Sequence, residues 1–292
     1  MPALRITRIR TYPVKSFEGN DHDTAVVRPW GLEGDRRWAL IDEHGTKVTA
    51  RKNSALLGLR AETVGENGVR IHDRDGDSVT AAAPTSGTIS VEGFRQLDAA
   101  TPYVGDANQW ISDRIGQPAT LIWQADPARR PIDPDHGGGP GDTVSLADVA
   151  PLHVVSEASL AQLNKWVGAE TGLPDPTIDP ATVSGSGTVS GPLDIVRFRP
   201  NIVIGGDLPF TEDDWTTLRI GGTAYRVTGL CGRCVVPTID PATLAGGKEP
   251  IRTLARHRRW DGLTWFGVRI TPVGVTPDQP AAVSIGDEVT PD

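Results

Sequence analysis

Glycine and proline recur along the whole chain and limit how long any regular element can be. Of the 292 residues, 33 are glycine and 24 are proline. Both residue types are unfavourable inside helices and common in turns, so this frequency predicts many turns and many short strands. The length is sufficient for one large domain or two medium ones, each with its own core.

Alternation of apolar and polar residues predicts where these strands lie. Leu4–Tyr12 alternates as a half-buried strand does. Arg37–Ile41 and Lys47–Ala50 flank a turn at Asp42–Gly45, which predicts a hairpin. Further strands are predicted at Leu57–Thr63, Val69–His72, Thr88–Val91, Ile202–Ile204, Thr217–Ile220, Ala224–Val227, Trp265–Ile270 and Ala282–Val289.

Two segments have the signals of helices. Asp106–Ile115 begins with a possible N-cap aspartate and is followed by Gly116, which suits the position after a helix end. Ser156–Val167 begins with a possible N-cap serine and carries leucines at helical spacing. Residues 174–192 lack periodicity and predict a flexible excursion.

A loop-rich stretch divides the chain. Ala125–Thr143 reads ADPARRPIDPDHGGGPGDT, and we expect the domain boundary there. The predicted fold class is therefore mainly β with some α (α+β), with an N-terminal domain at residues 1–125 and a second domain at residues 140–292.

Charge and hydropathy exclude several classes of protein. The net charge of −8 argues against a partner with a phosphate backbone, so no nucleic-acid partner is expected. No stretch approaches the roughly 20 apolar residues of a membrane helix, and the N-terminus lacks the features of a signal peptide. With two cysteines in all, the chain has no disulfide framework, and we expect a cytoplasmic protein without a membrane partner.

The two cysteines, Cys231 and Cys234, form a C-x-x-C pair with four interpretations. Structural zinc needs about four ligands, and these thiols with His257 supply three at most. A thioredoxin-like redox pair needs a following helix, whereas Val235–Thr238 indicates a strand or a turn. The cysteines can also be small buried hydrophobes. The fourth interpretation is a thiolate presented on a loop to a soft metal.

Several strings, in order along most of the chain, resemble the MOSC family, which is named for the C-terminal domain of molybdenum-cofactor sulfurases. The C-terminal half resembles the MOSC domain and the N-terminal half resembles the β-barrel domain that often precedes it. Together they resemble a soluble relative of the mitochondrial amidoxime-reducing component and its bacterial counterparts. The strings are TYPVKS at Thr11–Ser16, GLEGDRRW at Gly31–Trp38, VTARK at Val48–Lys52, VSLADVAPLHVVSEASLAQLN at Val144–Asn164, RFRPNIVIGG at Arg197–Gly206, FTEDDW at Phe210–Trp215, LCGRCVVPTIDP at Leu230–Pro241 and EPIRTLARHR at Glu249–Arg258.

The resemblance implies a molybdenum–molybdopterin cofactor whose metal is bound by Cys234, the second cysteine of C-x-R-C. Cys231 is then a neighbour of the metal ligand. Where a close relative has serine between the cysteines, this chain has Gly232. The implied fold is two β-barrel-like domains with a few helices, with the cofactor between them.

The resemblance also implies five further cofactor-binding residues: Lys15, Ser16, Arg36, Arg199 and Asn201. Their chemistry suits the cofactor, because a phosphate favours charge-assisted donors and an asparagine can match both donors and acceptors of a pterin edge. Arg36 can equally be an ordinary surface cation.

Two residues near these strings have simpler interpretations. Asp240 is expected to begin a turn with Pro241. His153, within an apolar run, is expected to lie in the core or behind the site.

The activity implied by the resemblance is reduction of small N-hydroxylated compounds at molybdenum. The chain has no further cysteines for an iron–sulfur cluster, so electrons are expected from a separate ferredoxin-like or cytochrome-like protein with its reductase. The alternative is a carrier of the cofactor, or of sulfur as a persulfide on Cys234.

Overall fold

The computed structural model describes residues 3–171 and 191–292. The predicted flexible excursion at 174–192 lies outside the described residues, apart from its last two positions. The described strands are β1 (Leu4–Thr11), β2 (Asn20–His22), β3 (Thr24–Arg28), β4 (Gly31–Leu32), β5 (Trp38–Ile41), β6 (Lys47–Val48), β7 (Arg60–Val64), β8 (Gly68–His72), β9 (Ser78–Ala81), β10 (Ile89–Ser90), β11 (Ala99–Pro102), β12 (Thr120–Trp123), β13 (Leu152–Ser156), β14 (Ile202–Ile204), β15 (Thr217–Ile220), β16 (Thr223–Gly232), β17 (Arg259–Trp260), β18 (Leu263–Val273), β19 (Ala281–Ser284) and β20 (Glu288–Pro291).

The described helices are few, so the prediction of a mainly β fold with some α is confirmed. The α-helices are α1 (Ala107–Ile115), α2 (Glu157–Thr171) and α3 (Ile251–His257). Short 3₁₀ helices cover Ser54–Gly58, Pro127–Arg129, Pro134–His136, Ile195–Phe198, Thr211–Asp214 and Val236–Thr238. Within the described ranges, no helix is both long enough and apolar enough to cross a membrane.

Seven strands close into a barrel. Their order is β13, β14, β1, β20, β15, β16 and β18, and β18 pairs back onto β13. β13 and β14 run parallel, and the other pairs are antiparallel. Alternate residues of the strands fill the interior, as the period of two requires. Examples are Ile6, Ile9, Val154, Leu218 and Ile270, each at most 1% exposed.

Strand β1 belongs to this barrel although it is the first strand of the chain. Leu4 pairs with Val289 of β20, and Ile9 pairs with Ile202 of β14. A cut at residues 125–140 would therefore remove one barrel strand from the others. The proposed limits of the two domains otherwise remain a prediction.

The rest of the N-terminal part forms smaller sheets around a second core. One sheet has the order β10, β11, β12, β5 and β6, and another contains β7, β8 and β9. The predicted hairpin is confirmed as β5 and β6, which pair at Leu40 and Val48. Helix α1 packs its buried Ile111 against this core, which includes Trp38 and Leu121.

The ends of the predicted helices differ in part from the structure. Gly116 ends α1 with a φ of 69°, as expected, but the side chain of Asp106 makes no capping hydrogen bond. Helix α2 continues to Thr171, four residues beyond the predicted end at Val167. Helix α3 was not predicted, because its seven residues offer too little periodicity.

The predicted strand Ala282–Val289 is wrong as a single element. It is two strands, β19 and β20, separated by a turn in which Gly286 has a φ of 89°. The Asp287 carboxylate accepts a hydrogen bond from the Ser284 amide at 2.8 Å and stabilises this turn. Apolar and polar residues continue to alternate through the turn, so the sequence pattern does not reveal it.

Candidate functional site

One cleft is lined by all six residues that the sequence analysis singled out. Its volume is about 210 Å³. The six residues are Lys15, Ser16, Arg36, Arg199, Asn201 and Cys234. They lie in turns and at strand ends: after β1, before β5, beside the start of β14 and after β16. Residues far apart in sequence thus meet because β1 and β14 are paired in the barrel.

Three of the six have a left-handed backbone. The φ angles are 72° at Ser16, 49° at Arg36 and 55° at Arg199, and these are three of the seven positive-φ non-glycine residues in the described ranges. Such conformations cost about 1–3 kcal/mol each and concentrate at functional sites. The cleft is therefore a place where the fold holds strained turns in position.

Tyr12 organises the two arginines. The guanidinium carbon of Arg199 lies 4.2 Å from the Tyr12 ring centroid and that of Arg36 lies 4.5 Å from it. The Tyr12 hydroxyl donates to the Pro200 carbonyl at 3.0 Å, and its backbone amide donates to Asp35 at 2.7 Å. The ring is 1% exposed, so both cations rest on a fixed aromatic surface.

The pKa values of Arg199 and Arg36 are shifted in opposite directions. Burial lowers the pKa of Arg199 to about 10. Burial also acts to lower the pKa of Arg36, but Asp35, to which it donates a hydrogen bond, outweighs burial and raises that pKa. The side chain of Arg36 is 12% exposed. The alternative of an ordinary surface cation is therefore excluded for Arg36.

Asn201 is buried beneath Arg36, with 1% of its surface exposed. Its Oδ1 accepts from Nη1 of Arg36 at 3.1 Å and from the backbone amide of His153 at 3.3 Å. Its Nδ2 donates to the Arg10 carbonyl at 3.1 Å. Both polar atoms of the amide have protein partners, so Asn201 orients Arg36.

Lys15 forms a second charged cluster with Asp148. Its Nζ donates to the Leu146 carbonyl at 2.8 Å and to Asp148 at 2.7 Å. Arg51 donates to the other oxygen of the same carboxylate at 2.7 Å. Burial lowers the pKa of Lys15 to about 8, although Asp148 opposes that shift. Burial acts to raise the pKa of Asp148, but Lys15 and Arg51 outweigh it and hold that pKa far below its usual range.

Cys231, at the end of β16, is surrounded by cationic side chains. Arg233 donates to its sulfur at 3.0 Å and lies 3.4 Å from Nε2 of His153. Burial acts to raise the pKa of Cys231, but His153, Arg233 and Arg269 together lower it to about 5. Cys231 is therefore a thiolate at neutral pH.

Cys234 lies in the loop beyond β16 and near Arg51, whose pKa is raised mainly by Asp148 and to a smaller extent by Cys234. Both cysteines are free and half-buried. The following residues form a 3₁₀ turn at Val236–Thr238, which agrees with the predicted turn after the pair. In the part of the chain that the structure describes, no cluster of three or more His, Cys, Asp or Glu side chains can hold a metal ion.

The buried donors of the cleft test whether a cofactor with a phosphate and a metal fits. Nη2 of Arg199, Nε of Arg233 and Nε of Arg269 are buried and have no hydrogen-bond partner among the described residues. Unpaired buried donors are unfavourable, and an acceptor-rich anionic ligand would pair with such groups. The thiols add the sulfur that a soft metal prefers. The donor set therefore fits such a group.

Two further expectations concern Asp240 and His153. Asp240 begins a turn, as predicted, because its Oδ1 accepts from the amides of Ala242 and Thr243 at 2.9 Å each. His153 is 9% exposed and forms part of the cleft wall.

Five residues of the site had no role predicted from the sequence: Tyr12, Arg51, Asp148, Arg233 and Arg269. The first four lie inside strings that were recognised, at TYPVKS, VTARK, VSLADVAP and LCGRCVVP, and position inside such a string was the available signal. Arg269 lies outside these strings, and its place in the site depends on the pairing of β16 with β18.

Comparison with known proteins gives family matches over both halves. The MOSC domain matches residues 141–290, and the MOSC N-terminal beta barrel domain matches residues 3–118. Mitochondrial amidoxime-reducing component 1 of Homo sapiens is 28% identical over 278 residues, which cover 88% of this chain and 72% of that protein.

A second relative is much longer than this chain. Molybdenum cofactor sulfurase of Oryza sativa subsp. japonica is 28% identical over 283 residues, which cover 91% of this chain and 32% of that protein. The chain thus spans about a third of that sulfurase. Among solved structures, the YUAD protein of Bacillus subtilis matches with a TM-score of 0.41 and 13% identity, over 98% of this chain and 94% of that one.

Proposed function

The chain belongs to the MOSC family, with a MOSC domain preceded by a MOSC N-terminal β-barrel domain, and from this premise we propose that its cleft binds a molybdenum–pterin cofactor. The observation that carries the proposal is the convergence of the six sequence-selected residues on one cleft. Three of them have left-handed backbones, which are costly for non-glycine residues and concentrate at functional sites.

In this proposal the cofactor is held by two groups of charged side chains, one stacked on Tyr12 and one around Asp148. Lys15, Arg36 and Arg199 donate charge-assisted hydrogen bonds to its phosphate and pterin, since all three are cationic at neutral pH. Ser16 adds a hydroxyl donor. Asn201 contributes by orienting Arg36, because its amide already has protein partners.

The metal is bound by Cys234, whose sulfur faces Arg51. Asp148 accepts a hydrogen bond from Arg51 at 2.7 Å and keeps that guanidinium beside Cys234. When bound, the cofactor supplies two-electron redox chemistry at molybdenum, and the protein positions and tunes it.

The finer proposal is an oxidoreductase that reduces N-hydroxylated compounds with electrons from a separate donor protein. It rests on the name of the amidoxime-reducing relative, which this chain matches over most of both lengths. The two cysteines of the chain are too few for an iron–sulfur cluster, so the electrons have another source.

The alternative is a carrier of sulfur or of cofactor. In this alternative Cys234 carries the sulfur as a persulfide, and the sulfurase relatives support it.

Analysis of the purified protein separates these functions. We expect about one molybdenum and one pterin per chain, and conversion of benzamidoxime to benzamidine with reduced methyl viologen as the electron source. Sulfane sulfur without molybdenum would favour the carrier. Metal and pterin at full occupancy without amidoxime reduction would contradict the proposed reductase activity. The same result would still support the proposed cofactor site.

A further inference from the structure

Exposed apolar side chains lie on the cysteine loop and on the hairpin that pairs with the cysteine segment, where Trp260 and Leu263 are directly opposite each other. Of eight exposed large hydrophobic residues in the described ranges, three belong to the cysteine loop or to the hairpin next to it. They are Val235 (49% exposed), Trp260 (40%) and Leu263 (49%), which we call the apolar rim. Single exposed apolar residues are ordinary, whereas clusters mark binding surfaces.

The hairpin of β17 and β18 is held directly against the cysteine segment. Gly232 pairs with Trp265, and the Arg233 amide donates to the Thr264 carbonyl at 2.7 Å. A Cβ at position 232 would lie 3.4 Å from the Trp265 ring and 3.5 Å from Leu263. Because residue 232 is a glycine, no side chain at this position covers Leu263 and Trp265.

The rim is preformed. Nε1 of Trp265 donates to the Trp260 carbonyl at 3.1 Å, and the two indole rings lie 6.1 Å apart. The guanidinium of Arg258 lies 5.4 Å from the Trp260 ring and 3.9 Å from the Phe210 ring. A rigid apolar surface loses little entropy when a ligand binds to it.

The size of the rim decides what it binds. A stable protein interface needs roughly 800 Å² from each partner. A whole aromatic side chain has about 150–250 Å² to bury, and the three rim residues are already half-buried. The rim therefore matches one ring or short alkyl group of a small molecule.

We propose that the apolar rim binds an aromatic or bulky apolar group of the substrate, while the substrate's N-hydroxylated group lies at the cysteine segment. This inference rests on the proposed function and names its substrate class. The cleft is lined by cationic side chains that suit polar groups, and also by Gly232, which pairs with Trp265 of the hairpin that carries Trp260 and Leu263. A molecule with one polar and one apolar end therefore matches both surfaces.

Two amidoximes that differ in their apolar group test the rim. Calorimetric titration of the protein as isolated, with its cofactor, should give tighter binding of benzamidoxime than of acetamidoxime by roughly tenfold. Trp260→Ala and Leu263→Ala should each reduce that ratio by roughly threefold or more. Leu208→Ala is the matched control, because Leu208 is 51% exposed and lies outside the rim; it should keep the wild-type ratio.

The outcomes separate this inference from the proposed function. A wild-type ratio near one, no binding of either compound, or a ratio unchanged in both rim variants would overturn the rim. Reduction of both compounds with the same KM ratio in wild type and Trp260→Ala would also overturn it, while leaving the reductase intact. Rim-dependent binding without reduction of either compound would support the rim and contradict the reductase.

Discussion

The two ends of the C-G-R-C segment lie three residues apart and have different surroundings. Cys231 ends β16 and faces Arg233, His153 and Arg269, which hold it as a thiolate. Cys234 lies in the following loop, near Arg51.

This difference explains why the two sulfurs suit different tasks. A metal cation bound at Cys231 would be repelled by two arginines and would compete with the hydrogen bond from Arg233. At Cys234 the nearby guanidinium of Arg51 is paired with Asp148, so less repulsion opposes a metal. We therefore expect metal binding at Cys234 and a charge-balancing role for Cys231.

The largest effect is expected from Cys234→Ser. A hydroxyl is a hard and weakly acidic ligand that replaces a thiolate poorly, so molybdenum content and amidoxime reduction should both be lost. Circular dichroism should remain that of the wild type, because Cys234 is half-buried in a loop.

Cys231→Ser is the matched control, since each variant leaves one thiol in the chain. It should retain metal and lose only part of the activity. If Cys231→Ser removes the metal and Cys234→Ser retains it, the assignment of the ligand is wrong.

An intermediate effect is expected from the two charged clusters. Lys15→Ala and Arg199→Ala each remove a charge-assisted donor, and each should weaken cofactor retention by about 1.5–3 kcal/mol, a tenfold or greater loss of affinity. Bound pterin is measured by fluorescence after oxidation, following dialysis of each variant.

Arg129→Ala serves as the control for these variants, because the Arg129 side chain is 87% exposed and lies outside the cleft. It should retain the wild-type amount of pterin. A large fall in the melting temperature of the cofactor-free Lys15→Ala or Arg199→Ala protein would instead indicate a structural role.

Local signals and a family resemblance predicted much of this molecule from its sequence. The hairpin β5–β6 and the end of α1 at Gly116 follow from short-range rules of turns and caps. The six cleft residues came from recognised strings. Their meeting in one cleft supports a shared site, and their cofactor-binding roles remain a prediction.

Long-range partners were not predictable in the same way. Asp148 meets Lys15 across 133 positions of sequence. The stacking of Arg36 and Arg199 on Tyr12 needs the pairing of β1 with β14 and the left-handed turns. Nothing local to any one of these residues specifies its partners. Likewise, the alternation of Leu4–Tyr12 predicted a strand but not the barrel it enters.

The smallest effect concerns the pH dependence of stability. The pKa of Cys231 is about 5 in the folded protein, compared with roughly 8.5 for an unfolded thiol. Because the folded pKa is depressed, the stabilisation is complete above roughly pH 8.5 and is lost as pH falls through the folded pKa of about 5. Arginine side chains stay protonated over this range, so Arg233 and Arg269 continue to favour the thiolate. The free energy of unfolding of wild type minus that of Cys231→Ser should therefore rise between pH 5.5 and 8, by on the order of 1 kcal/mol after allowance for partial exposure.

Urea unfolding of the cofactor-free proteins under reducing conditions measures this difference, with Cys234→Ser run in parallel. A difference that stays constant across this range would mean that the cations around Cys231 do not stabilise its thiolate, and the contrast between the two sulfurs would lose its electrostatic basis.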